Sequence, residues 1–295
     1  DNAFLPRVWN VTILDVSGND LEGQVARGLL RRPKLQYLDL HNNLLAGSLP
    51  DIPRSSSLEF LAIHGNRIDG SIPTAIDRLI SLKHLDLSDN RFVGVVPDRL
   101  GLLTQLEYLF VGYNTQLTPG HIPDMFQRLT NLKELSMKLS KRNGPIPSWI
   151  GGLSNLQVLD LDGNELEGKV PDSINSLTGL EYLMLSRNQL SGNLPESLDG
   201  LSNLGIVSLG NNSIVGDAAP LCTFPKAVFK ADCGGAQPQI SCACCTKCCN
   251  DIDVCTEDMI LPALDIRYQE HYERKQVVLT KTGPMPTSAT ISNGQ

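Results

Sequence analysis

Aromatic residues are scarce: seven Phe, six Tyr and two Trp make up 5% of a 295-residue sequence that is nevertheless 41% hydrophobic. A core of that size has to be built from aliphatic side chains, and Leu recurs at strikingly even intervals instead. There is no basic stretch either, since residues 1–221 carry 18 Lys and Arg against 24 Asp and Glu, a balance of −6 within a total of −7. Nucleic acid is excluded as a partner class on that ground. No apolar run approaches the roughly 18 to 20 residues that span a bilayer, and the opening DNAFLPRVWN has no signal-peptide pattern. Cysteine is missing from the first 221 residues, with all eight between Cys222 and Cys255. This segregation divides the chain into 1–221, a cysteine-rich 222–255 and a tail, 256–295.

What is abundant is a repeat. The pattern LxxLxLxxN aligns Val11 to Asn19, Leu35 to Asn43, Leu58 to Asn66, Leu82 to Asn90, Leu106 to Asn114, Leu132 to Ser140, Leu156 to Asn164, Leu180 to Asn188 and Leu204 to Asn212. Its last positions are 24, 23, 24, 24, 26, 24, 24 and 24 residues apart. A period of this length is the mark of a solenoid. Within each LxLxx segment alternate residues point inward, so the Leu pairs of successive repeats stack into one core while short strands pair in parallel. The Asn amide both donates and accepts, and serves backbone groups where the chain turns away from the strand. Ser140 interrupts this ladder, and its short hydroxyl is expected to leave that turn less well tied.

A second motif, xLxGxIP, follows the Asn at Leu45 to Pro50, Ile68 to Pro73, Phe92 to Pro97, Leu166 to Pro171 and Leu190 to Pro195. Gly permits the bend and Pro ends the short extended piece. With both motifs present, residues 9–220 resemble the plant-specific class of leucine-rich repeats, found in plant receptor ectodomains and polygalacturonase-inhibiting proteins. The resemblance implies an α/β solenoid: a right-handed superhelix of about nine to ten repeats with a parallel concave sheet and a second, shorter set of strands. Members of the class usually open with a paired-cysteine cap, and no such cysteines stand at the start of this sequence. The first layer is therefore expected to need cover from upstream residues or a partner.

Residues 213–233 read as a degraded tenth repeat leading into CACCTKCC. The ADC and CxCCTxCC combination resembles secreted leucine-rich-repeat proteins of diatoms and related stramenopiles. Zinc or an iron–sulfur cluster on Cys245 and Cys248 would need a second, separately placed pair of ligands, so no metal is assigned. The even count points to disulfides among Cys222, Cys233, Cys242, Cys244, Cys245, Cys248, Cys249 and Cys255, closing a disulfide-rich C-terminal cap. Their pairing is open, although adjacent Cys244 and Cys245 should take different partners.

The variable strand positions face the concave side. Departures from the class pattern single out Phe110 and Tyr113 in repeat five, Glu134, Lys138 and Leu139 in repeat six, and Met184 and Arg187 in repeat eight, beside a two-residue insertion within Thr115 to His121; Tyr108 and Tyr182, of a type common at their position in the class, complete the candidate face. Exposed aromatics next to Arg, Lys and a longer loop suit a protein or carbohydrate ligand. Phe110 and Tyr113 covering one another is the plainer alternative. His41 and His64 fall in one column of adjacent strands, within about 5 Å of each other, as exposed surface groups.

No GxSxG, HExxH or phosphate-binding glycine loop is present, so the reading is a non-enzymatic one without cofactors. Asn10 and Asn211 head sequons that would be glycosylated in a secretory setting. Together these features point to a secreted or cell-surface recognition module, an inhibitor of a wall-degrading enzyme being a narrower version. The reading set against it is a structural subunit of an extracellular assembly, joined to other subunits through solenoid ends and residues 260–282, where Gln276 to Thr280 has strand-like content.

Overall fold

A computed structural model describes residues 10–54, 56–224, 228–234 and 238–248. Cys249, Cys255 and the tail with its expected docking segment 260–282 lie outside the described residues.

The Leu-rich segments form one parallel sheet of eleven strands. In chain order they are β1 (Ile13–Asp15), β2 (Tyr37–Asp39), β3 (Phe60–Ala62), β4 (His84–Asp86), β5 (Tyr108–Phe110), β6 (Glu134–Ser136), β7 (Val158–Asp160), β8 (Tyr182–Met184), β9 (Ile206–Ser208), β10 (Val228–Ala231) and β11 (Lys247–Cys248). Register follows the repeat, with Tyr37 opposite Phe60, His84 opposite Tyr108 and Glu134 opposite Val158. Each strand's central Leu therefore stacks on the next, and Leu38, Leu85, Leu109, Leu135 and Leu159 have no exposed surface. The sheet runs past residue 221 without a break, because the degraded tenth repeat supplies β10 and the cysteine segment supplies β11.

The xLxGxIP segments form the shorter second set of strands. Glu22–Gly23, Leu44–Ser48 and Arg67–Asp69 make one sheet, and Asn143–Pro145, Glu165–Gly168, Gln189–Gly192 and Ser213–Ile214 make another. Between them only single bridges continue the pairing, at Ser71 to Val93, Gly94 to Leu117 and Gly120 to Arg142. The insertion within Thr115 to His121 lies in this gap. On the far side of the solenoid the chain returns through five-residue 3₁₀ turns such as Thr74–Arg78 and Ser148–Gly152, so the helical layer is 3₁₀ in character. The cause is the short period: the five turns from Thr74–Arg78 to Asp172–Ser176 each follow a Pro, and the Ile76, Leu79 and Leu82 amides each bond three residues back. Neighbouring turns touch so closely that a Cβ on Gly101 would sit 2.2 Å from the Met125 carbonyl oxygen.

The Asn ladder ties these three layers together. Asn114, fully buried, donates from Nδ2 to the carbonyls of Leu87 (3.0 Å) and Val111 (2.9 Å), while its Oδ1 accepts from the Phe92 amide (3.2 Å). One side chain thus joins its own turn, the preceding strand and the preceding lateral segment. At Ser140 the expectation of a loosely tied turn is corrected. The buried Arg142 guanidinium ties this turn by another route, donating from Nε and Nη2 to the Ser140 carbonyl (3.0 and 2.8 Å), from Nη2 to Thr118 (2.7 Å) and from Nη1 to His121 (3.3 Å). Ser140 Oγ itself donates to the Met137 carbonyl. Burial pushes the Arg142 side chain down to about 10, so it stays charged at neutral pH.

Arg142→Ala leaves three carbonyls without donors in or near the core. It is expected to lower unfolding stability by about 3 kcal/mol, read from the urea midpoint. Adding Ser140→Asn should leave most of that loss in place, because an amide there reaches carbonyls two and three residues back, as Asn114 does, and not those of Ser140, Thr118 and His121.

Candidate ligand-binding face

Period-two alternation turns every second strand residue away from the Leu core, and stacking in register lines these residues into columns. The first column carries a stack of rings. Tyr37 and Phe60 lie parallel at 4.1 Å, Phe60 and His84 follow at 4.3 Å, and His84 meets Tyr108 at 5.5 Å and Phe110 at 5.6 Å. The third column holds His41 and His64, whose rings are parallel with centroids 4.5 Å apart, at the separation their register predicts. They are buried, however, where the sequence suggested surface groups. The reason is their partners: His41 Nδ1 lies 2.6 Å from Asp39 Oδ1 and His64 Nδ1 lies 3.0 Å from Asp86 Oδ2, so each ring folds down onto a carboxylate. Among the described residues no three His, Cys, Asp or Glu side chains are grouped to hold a metal ion.

The same third column changes character in repeats six and seven. Lys138 and Asp162 stand on adjacent turns, with Arg187 Nη2 3.6 Å from Asp162 Oδ2 and Lys138 Nζ 5.5 Å from the centre of the Tyr113 ring. Burial, reinforced by the neighbouring Asp160, pushes the Asp162 carboxyl up to about 7 against the opposing pull of Lys138 and Arg187. Six of the residues singled out from sequence are partly exposed here: Tyr108, Tyr113, Glu134, Leu139, Tyr182 and Arg187. The other three are not, and the expectation that they are open contact groups is corrected. Phe110, Lys138 and Met184 are 3%, 2% and 1% exposed. Side chains on the inside of a curved sheet converge, so a large residue in a central column is flanked by the columns on both sides. Phe110 has His84 as a ring neighbour, and Tyr113 has Lys138.

A backbone feature that sequence reasoning missed marks the same region. The residue before each ladder position has a positive φ, and in several repeats it is Gly or Asn, as at Gly65, Gly163, Asn42 and Asn211. Repeats five, six and eight instead place Tyr113 (φ 57°), Leu139 (φ 50°) and Arg187 (φ 56°) there. Left-handed backbone is strained for such side chains. The signal was visible in the sequence as a column of Gly and Asn broken at these positions, but its meaning needs the dihedral angle.

In the cap, Cys222 bonds Cys244, Cys233 bonds Cys248 and Cys242 bonds Cys245, so adjacent Cys244 and Cys245 do take different partners. Asn10 is exposed. Asn211 is partly buried and its amide donates to Asp232 Oδ1 (2.9 Å).

Comparison with known proteins agrees with this geometry. The leucine rich repeat family model matches residues 56–115 and 154–214, and a second leucine rich repeat model matches 34–55. The leucine-rich-repeat ectodomain of the Arabidopsis thaliana membrane receptor kinase GASSHO1/SCHENGEN3, solved with CASPARIAN STRIP INTEGRITY FACTOR 2, is 34% identical over 75% of this chain, with a TM-score of 0.68. The chain is a leucine-rich-repeat protein of the plant type. The Arabidopsis receptor kinase HAESA, solved with the peptide hormone IDA and the co-receptor SERK1, is 30% identical over 75% of the chain at a TM-score of 0.68. This repeat protein spans 27% and 38% of those two receptors' chains. A plant ice-binding protein aligns with 81% of it and is itself covered to 84%, at 25% identity and a TM-score of 0.64. A search of curated proteins found no match. Among the described residues no helix is long and apolar enough to cross a membrane.

The carboxyl of Asp162 and the imidazole of His64 set a pH dependence. For His64 burial lowers the pKa, but attraction and hydrogen bonding to Asp86, with Asp39 and Asp89, outweigh it and the net shift is upward. Both groups hold their proton more tightly in the folded chain, so the stability each contributes is complete below its unfolded pKa and is lost as pH rises through its folded pKa. For Asp162 that window runs from 3.8 to about 7. Asp162→Asn should therefore gain stability relative to the parent chain as pH rises through that window, then level off, as read by urea unfolding at a series of pH values.

Proposed function

We propose that the concave face around β5 to β8 is the recognition surface of an extracellular protein-binding module, and that its ligand is a protein or peptide. The observation that carries this reading is the strained Tyr113 and Arg187, set beside a buried group of charges. A turn that accepts Gly or Asn in other repeats holds a large contact-forming side chain in these two, at a conformational cost that Gly or Asn would avoid. Tyr and Arg are the side chains that most often dominate protein contacts. Arg187, partly exposed and paired with the buried Asp162, offers charge at the edge of a setting shielded from water, where pairing with a ligand group counts for more than on an open surface.

Two further observations support the reading. Three disulfides among the described residues suit an oxidising compartment. The receptors similar to this chain were solved with a peptide hormone or an integrity factor bound. On this reading the protein binds and does not catalyse. Carbohydrate is the competing ligand class, favoured by the partly exposed Tyr108 and Tyr182.

Screening the full chain against displayed extracellular proteins, secreted peptides and a glycan array tests the reading. Ligands that engage this face are expected to lose at least roughly tenfold in affinity with Tyr113→Asn, while the variant stays within about 1 kcal/mol of the parent in stability because Asn accepts the left-handed turn. Arg99→Ala, on the opposite 3₁₀ layer, should bind like the parent. Ligands indifferent to Tyr113 would place recognition elsewhere, and glycans alone on the array would replace the protein ligand with a carbohydrate.

A further inference from the structure

Of the three described bridges in the cap, two join separate elements. Cys222–Cys244 ties the 3₁₀ turn Ala219–Thr223 to the loop before β11, across 22 residues of sequence, and Cys233–Cys248 ties the end of β10 to β11 across 15. The third, Cys242–Cys245, spans a separation of three and joins nothing but the two ends of its own turn. A crosslink restrains the unfolded chain in proportion to the logarithm of the loop it closes, so this one contributes least.

The turn is also held in place without it. On its N-terminal side Ser241 accepts a bond from the Ala218 amide (2.8 Å), and Ile240 and Ser241 pair with Gly216 and Asp217. On its C-terminal side the Thr246 amide donates to the Phe229 carbonyl (3.0 Å) and Thr246 Oγ1 accepts from the Phe229 amide (3.2 Å). The Cys222–Cys244 bridge anchors its middle. Ser241, Ala243 and Thr246 are exposed, and the sulfur-bearing residues Cys242 and Cys245 are themselves only half-buried. A partly exposed Cys-x-x-Cys pair whose turn is held from both sides without it can open while its surroundings stay in place, even though both residues pack against the core.

From this arrangement we propose that Cys242 and Cys245 form a redox-active pair that opens and closes by thiol–disulfide exchange while the cap stays folded. Its co-reactant is a thiol reductant of the glutathione class. A glutathione thiolate attacks one sulfur of the bridge, forming a mixed disulfide, and the other cysteine leaves as a thiolate that takes up a proton. A second glutathione thiolate then attacks the glutathione sulfur of that mixed disulfide, releasing glutathione disulfide and the second cysteine thiolate, which is protonated in turn. The protein gains two electrons and two protons, and two glutathione molecules are oxidised to one disulfide. The mixed disulfide makes the same turn a site for reversible glutathione attachment.

The test equilibrates the full chain in glutathione buffers of increasing reducing strength, quenches with acid, and labels thiols before and after complete reduction with two alkylating reagents. Peptide fragmentation then assigns the state of each cysteine. The Cys242 and Cys245 thiols are expected at a squared-thiol to disulfide ratio at least tenfold lower than those of the other two bridges, with the thermal midpoint unchanged at that ratio. The Cys242→Ser/Cys245→Ser double variant should keep the parent's midpoint, whereas Cys233→Ser/Cys248→Ser should lower it. Simultaneous opening of all three bridges, opening of Cys242–Cys245 last, or a fall in midpoint when it alone opens would each overturn the proposal.

Discussion

Everything in this solenoid depends on satisfying backbone groups at the turn that ends each concave strand. A parallel stack of three-residue strands has as much turn as strand, and its turns are buried between repeats, where an unpaired carbonyl or amide has no water to meet it. The Asn side chain answers this by reaching three separate segments from one position. Leu stacking supplies the bulk of the burial, but it is the amide that fixes how far one repeat lies from the next and in which direction the chain leaves the sheet.

The exception at Ser140 shows that the constraint is chemical and not specific to one residue. Without the amide, Ser140 Oγ and Asn164 Nδ2 meet the Met137 carbonyl, and a guanidinium two residues later binds a different set, the carbonyls of Ser140, Thr118 and His121. Asn164 Oδ1 accepts the Arg142 amide (2.9 Å), as the other ladder Asn residues accept the equivalent amide, and takes the Ser140 amide (3.1 Å) in addition. The exchange falls beside the two-residue insertion and the interval where the lateral sheets are joined by single bridges. The frame is thus altered next to the repeats that carry the strained Tyr113 and the charged group around Asp162.

The concave face divides into two chemically different halves. Repeats two to five present stacked rings and histidines folded onto carboxylates, an arrangement closed on itself. Repeats five to eight present Lys138, Asp160, Asp162 and Arg187 with Tyr113, in which like charges sit close together and the backbone is held in a costly conformation. The cap shows a similar division, with two bridges that hold elements together and one that holds only its own turn.

Much of this was legible in the sequence. The spacing of Leu and Asn determined the strand positions, their register, the side each residue faces and the closeness of His41 to His64, because a repeat near 24 residues and a period of two leave no other arrangement. The even cysteine count and its segregation likewise pointed to a bridged cap. What only the tertiary structure decided was reach and cover: that Arg142 braces the turn that lacks an Asn, that the histidines fold onto aspartates, that Phe110, Lys138 and Met184 are enclosed while Tyr113 and Arg187 are partly open, and which cysteines meet. Those outcomes depend on side chains meeting across strands and on the curvature that brings them together. A one-dimensional pattern carries the period of a solenoid but not its radius.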